Sequence, residues 1–174
     1  MSIVTKTERL HLRKIEDADF VSLGRIYADP KCMQFYPGTK SPSEISAWFQ
    51  KLAFDSYAQH GFGLWAVVDA VSGEVIGDCG ITLQATPAGL EPEIGYHLWR
   101  EYWGMGLATE AATACRDYAF RTLGLRRVVS ITSSENIPSQ KVAERVHDRL
   151  EIYQKRSGES GNLVGRHLYI SENR

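Results

Sequence analysis

Cysteine is scarce: Cys32, Cys79 and Cys115 are three residues, odd in number and widely spaced. They form no CxxC pair, which excludes a disulfide framework and the thiol zinc patterns. The expectation is reduced thiols in a cytoplasmic protein. Histidine is no richer, with five scattered residues and no HExxH spacing, so no metal site is expected. A surplus of charge of one sign is also lacking. The formal net charge is −1, with Lys and Arg spread along the chain, which argues against binding nucleic acid through a broad basic face. No apolar run approaches the roughly 18 residues of a membrane span. The polar start MSIVTKTERLHLR has no apolar stretch of the signal-peptide kind. Low-complexity segments, internal repeats and long linkers are missing as well. What remains is 174 residues, 43% of them hydrophobic, enough for one compact domain over 1–174 with its own core.

Periodicity then assigns the elements. LHLRKI (10–15) alternates as a first strand, and EDADFVSLGRIYAD reads as a helix with Asp17 as N-cap, stopped by Asp29-Pro30. SPSEISAWFQKLAFDSYAQHG carries capping residues, a proline at its start and a terminating Gly61, the signature of a second helix. LWAVVDAVSGEVIGDCGITL is a hairpin turning at Ser72-Gly73, and PEIGYHLW (92–99) is a further strand. In LATEAATACRDYAFRTLG, over 107–124, Ala108, Ala111, Ala112, Cys115, Tyr118 and Ala119 share one helix face. Small residues there let the helix lie close on a sheet, and Cys115 belongs to the packed face. RRVVSITS is a strand, NIPSQKVAERV a short helix, and RLEIYQ and VGRHLYIS a closing strand pair. The fold class is α/β (α+β) with a mostly antiparallel sheet.

Between strand and long helix stands REYWGMGLATEA. Gly104 and Gly106 are either a tight turn or backbone left bare so that an anion can reach the free N–H groups of the helix start. Neither GxxxxGKS nor GxxxxGKT occurs, which excludes a P-loop. A dinucleotide fingerprint is excluded too: the third glycine position is Thr109, and Arg126 and Arg127 stand on the next strand.

The run Trp103-Gly104-Met105-Gly106-Leu107-Ala108 resembles the signature of the GNAT superfamily of acetyl-CoA-dependent N-acetyltransferases, a Gln or Arg followed by x-x-G-x-G/A. Trp103 replaces the Gln or Arg, as in the RimJ/RimL-like ribosomal-protein N-terminal acetyltransferase branch, which the stretch YWGMGLATEA resembles. TERLHLRKIEDADF, WAVVDAVSGEVIGDCGI, EIGYHLW and NIPSQKVAERV are similar to further segments of that branch, in the same order. The resemblance implies the GNAT fold, a mixed sheet of about six or seven strands splayed at the cofactor site with about four helices.

It also implies roles. Main-chain amides over Trp103, Gly104, Met105, Gly106, Leu107, Ala108 and Thr109 would hold the pyrophosphate of acetyl-CoA. Leu98 and Trp99 would bond the pantetheine arm, with the Leu98 amide facing the thioester oxygen. Asn136 and Ser139 would reach the pantetheine and the sulfur, Ser139 as the acid for the leaving thiolate; Asn136 also reads as a helix N-cap. Many members carry a tyrosine for that acid at the position of Ala143, so it is missing here. Glu93 is the candidate base, acting through water, with Glu91, Asp78, Glu135 and Glu159 as competitors. Phe35, Tyr36, Trp48, Phe62 and Tyr96 either line an acceptor pocket or fill the core. Val146-His147-Asp148 replaces the family's Leu-Gly helix end, which puts the strands after it in doubt. The activity implied is acetyl transfer from acetyl-CoA to a primary amine, a protein N-terminus or a small molecule, by a monomer or homodimer without metal. A coenzyme A-binding scaffold without turnover, and an interaction module without cofactor, are the other readings.

Overall fold

The computed structural model describes residues 2–157 and 161–173. The candidate base Glu159 lies outside them. One sheet of eight strands runs through the described residues in the order β1-β2-β3-β4-β5-β6-β8-β7. The strands are β1 (Ile3–Lys6), β2 (Leu10–Lys14), β3 (Leu64–Asp69), β4 (Val75–Thr86), β5 (Gly89–Leu98), β6 (Arg127–Ser133), β7 (Arg149–Arg156) and β8 (Leu163–Glu172). The helices are α1 (Phe20–Ala28), α2 (Pro42–Phe49), α3 (Ser56–His60), α4 (Leu107–Arg121) and α5 (Ile137–Val146). A π-helical stretch, Gln50–Asp55, joins α2 to α3 without a break, so the expected second helix is one rod with an underwound middle.

The strand count exceeds expectation because β1, only four residues at the sheet edge, carries too little pattern to read. The helix start expected at Asp17 is also corrected. Asp17 lies in a 3₁₀ turn, while Glu16 and Asp19 form the capping box. Asp19 is buried and takes both terminal nitrogens of Arg13 at 2.6 and 2.7 Å, fastening the start of α1 to β2. The box at α2 is the one the sequence indicates, with Ser41, Pro42 and Glu44.

β3 is buried on both faces, and its alternation divides the core. Trp65 and Val67 pack with Leu107, Ala111, Ala112, Cys115 and Ala119 of α4. Leu64 and Ala66 pack on the other side with Leu23, Tyr27 and Phe49 of α1 and α2. Cys79 on β4 and Cys115 on α4 meet in the first layer with sulfurs 3.4 Å apart. Among the described residues no helix is long and apolar enough to cross a membrane.

The strands after α5 are intact, with β7 and β8 paired from Arg149↔Ile170 to Arg156↔Leu163. The helix ends without any left-handed residue, since His147 is extended at φ −114°, ψ 159°. Its imidazole turns into the core, with Nε2 2.9 Å from Ser130 Oγ and Nδ1 3.0 Å from Ser171 Oγ. Ser130 already donates its proton to the Ile94 carbonyl at 2.8 Å. Nε2–H therefore donates to Ser130, and the Ser171 hydroxyl, whose contact with the Val146 carbonyl is longer at 3.4 Å, donates to Nδ1 of a neutral ring. Burial, with Arg116 nearby, lowers the His147 pKa to about 4. A depressed histidine contributes stability that is complete above its unfolded value near 6.5 and is lost as pH falls toward 4. Urea unfolding should show this group costing about 2 kcal/mol between roughly pH 7 and pH 5, a dependence that His147→Leu removes. An equal slope in the variant would assign the acid sensitivity elsewhere.

Candidate active site

The glycine loop answers part of its own question. Gly104 and Gly106 sit at φ +76° and +77°, a conformation that side-chain-bearing residues rarely adopt. A Cβ on Gly104 would meet nothing within 4 Å, so the protein itself does not crowd the loop. Gly106 is the N-cap of α4 and offers no side chain to the helix's first N–H groups. Gly104, Gly106, Leu107, Ala108 and Thr109 line one cleft, of about 340 Å³. The loop is held from outside. Arg9 donates to the Met105 carbonyl at 2.9 Å and pairs with Glu110 on the first turn of α4 at 2.6 Å. Thr7 also donates to Glu110. The stretches TERL and ATEA thus meet in one clasp.

β5 supplies the opposite wall. It pairs antiparallel with β4 over its whole length, but parallel with β6 only at Glu93↔Val129, and beyond that point the two strands part. The Trp99 N–H donates to the Ile76 carbonyl, so Leu98 is the non-bonded partner of Gly77. Its N–H and C=O therefore point away from β4, into the gap. The carbonyl accepts from the Trp103 indole at 2.8 Å, closing the loop onto the strand end.

Ser139 and Asn136 reach the same cleft from α5. Asn136 Oδ1 accepts the Ser139 N–H at 3.1 Å, so the N-cap is formed. Ser139 Oγ donates to the Tyr96 hydroxyl at 3.1 Å, and that hydroxyl donates to the Ser139 carbonyl at 2.8 Å. Ala143 is buried, as its lack of a hydroxyl allows, and the phenol beside Ser139 belongs to Tyr96 of β5. Burial raises the Tyr96 pKa and keeps it protonated.

A second cleft, of about 220 Å³, opens on the other face of β5. Glu93 lies in it, half-buried, with Thr82 Oγ1 and the Ile131 N–H each 3.4 Å from its carboxylate. Desolvation raises its pKa to about 7, against the pull of the Ile131 N–H, His97 and Thr82. Trp48, Leu52 and Leu64 form its apolar side. The clefts share one wall: Tyr36, Tyr96, His97 and Ser139 line both.

The remaining candidates disperse. Trp99 and Met105 do not line the cleft. The Trp99 ring lies between Arg25 and Arg100, 5.0 and 5.4 Å away, and Met105 is exposed. Glu91 pairs with Arg127 at 2.5 Å, and Glu135 is exposed in a turn. Phe35 lines the first cleft and Phe62 packs into the core. Asp78 is fully buried, bonded to His97 Nδ1 at 3.0 Å and to the Tyr27 hydroxyl at 2.9 Å. His97 itself was not a candidate. Its signal was present, since Glu93, Gly95 and His97 alternate onto one strand face.

A strand splayed from its neighbour, with a glycine loop and an uncapped helix start beside the gap, defines a class of acyl-transfer proteins. Residues 9–147 match the model of the acetyltransferase (GNAT) domain, and the chain belongs to that family. The Bacillus subtilis protein YkkB is 35% identical over 143 residues, 80% of this chain and 81% of its own. The structure of an acetyltransferase from Agrobacterium tumefaciens superposes with a TM-score of 0.81 at 31% identity, covering 97% of this chain and 94% of the other. A RimL ribosomal-protein acetyltransferase, solved in complex with coenzyme A, superposes at 0.77 over 98% of both chains; at 20% identity it shares the fold. Members of the family transfer acetyl groups from acetyl-CoA.

Proposed function

We propose that the protein is an acetyl-CoA-dependent N-acetyltransferase of the RimJ/RimL-like branch that acetylates a primary amine by direct attack. The observation that carries this reading is the shared wall. A thioester lying along β5 in the first cleft and an amine in the second would meet at Tyr36, Tyr96, His97 and Ser139. The amides of Gly106, Leu107, Ala108 and Thr109 bind the pyrophosphate, and Lys141 and Arg145 bring positive charge to the same cleft. The Leu98 N–H, turned into the gap, faces the thioester oxygen and stabilises it as it becomes an oxyanion. Glu93, poised near neutrality, takes a proton from the incoming ammonium. Ser139, bonded to Tyr96, protonates the leaving thiolate. No covalent enzyme intermediate is involved, and the rate rests on orientation and oxyanion stabilisation.

The test is incubation of the protein with acetyl-CoA and a panel of small primary amines and short peptides, followed by mass spectrometry of the acceptors. Gain of one acetyl group on an amine supports the proposal. Binding of acetyl-CoA without transfer to any panel member favours a coenzyme A-binding scaffold.

A further inference from the structure

A primary amine reaches the thioester as an ammonium and leaves as an amide that keeps one N–H. Two protons must therefore come off the nitrogen, one to free the lone pair and one from the cationic nitrogen of the tetrahedral adduct. Glu93 takes one of them. The structure has a second proton-handling group on the same strand face, across Gly95, where a Cβ would come within 3.3 Å of the Glu93 carboxylate.

That group is a chain of hydrogen bonds. Asp78, buried on β4, accepts from the Tyr27 hydroxyl at 2.9 Å and lies 3.0 Å from His97 Nδ1, which is also 3.1 Å from the Tyr27 hydroxyl. A carboxylate has no proton to give, so Nδ1–H donates to it and Nε2 keeps its lone pair. The Tyr36 hydroxyl lies 2.6 Å from that nitrogen and donates to it. Tyr36 is partly exposed and lines both clefts, and its hydroxyl proton faces the histidine.

We propose that Tyr36 is a catalytic residue, removing the second proton, with His97 and Asp78 acting through it. Resting on the acetyltransferase reading, the step runs as follows. Attack forms the C–N bond. The cationic nitrogen gives its proton to the Tyr36 oxygen as the Tyr36 proton passes to His97 Nε2, and the imidazolium is held by Asp78. The oxyanion collapses, the C–S bond breaks, and its electron pair leaves on sulfur, which is protonated from the Ser139 side. His97 returns its proton through Tyr36 to water. The phenol is never a free phenolate, because it gains one proton as it loses another.

Two probe acceptors separate the two bases. Phenethylamine is an ammonium at neutral pH and must lose two protons; hydroxylamine is uncharged there and loses one. Coenzyme A release above the uncatalysed rate is measured for the wild type, Tyr36→Phe, His97→Gln, the double variant and Glu93→Gln. Tyr36→Phe and His97→Gln should each lower kcat about 10²-fold with both probes, the double variant no further, and acetyl-CoA affinity should be unchanged. Glu93→Gln should lose markedly more with phenethylamine than with hydroxylamine. Full turnover in Tyr36→Phe, or additive losses in the double variant, overturns the relay while leaving the acetyltransferase reading intact. A wild type that does not bind acetyl-CoA overturns that reading instead. Should neither probe be turned over, the long-range proton–nitrogen spectrum of isotope-labelled histidine decides. A proton on His97 Nδ1 and none on Nε2 supports the relay, and a protonated Nε2 in the neutral ring overturns it.

Discussion

Gly106→Val is expected to reduce acetyl-CoA affinity by roughly 10³-fold while leaving a folded protein. At φ +77° the position excludes a β-branched residue, which would have to leave the left-handed region at a cost of about 1–2 kcal/mol. The residue is the N-cap of α4, so relief of that strain rotates the amides that follow it. Losing two charge-assisted bonds at about 2 kcal/mol each gives the expected factor. The fold is spared because the loop lies outside the core and the nearest atom to a Cβ is Arg9 Nη2 at 3.7 Å, the end of a flexible side chain. Calorimetric titration beside a thermal melt checks both halves. Undiminished affinity in the variant would return the two glycines to the role of a turn.

Glu93→Gln is expected to lower kcat about 10³-fold with an ammonium acceptor and to leave acetyl-CoA affinity unchanged. The carboxyl lies in the second cleft, and its pKa near 7 means that kcat should rise with pH through that value as it ionises. The amide variant loses that limb. The same shift has a sign for stability. A carboxyl raised above its unfolded value favours folding while protonated, and that contribution is lost as pH rises through about 7. Glu93→Gln should therefore be more stable than wild type under alkaline conditions, which separates a lost base from a damaged fold. A kcat within about threefold of wild type would remove Glu93 from the chemistry.

What the sequence disclosed was local. Helix α4 was legible because its small residues recur at helical spacing, and the loop before it because two glycines flank one residue ahead of that pattern. What it hid depends on pairing across distance. The Arg9–Glu110 clasp spans 101 positions. His97 reads as a strand residue until β4 brings Asp78 opposite it and the segment after α1 brings Tyr36 to its other nitrogen. Position 143 carries no tyrosine, and the phenol that does bond Ser139 comes from Tyr96 on β5, a contact that no local pattern shows. His147 stood where a glycine was expected, and its ring found two serines on neighbouring strands that periodicity could not reveal.

The most direct test of the account is the crystal structure of the protein with coenzyme A. The pyrophosphate should rest on the amides of Gly106 to Thr109, the pantetheine should run between β5 and β6, and the sulfur should lie at the wall of Tyr36, Tyr96, His97 and Ser139. A cofactor bound elsewhere, or a sulfur turned away from that wall, would contradict it.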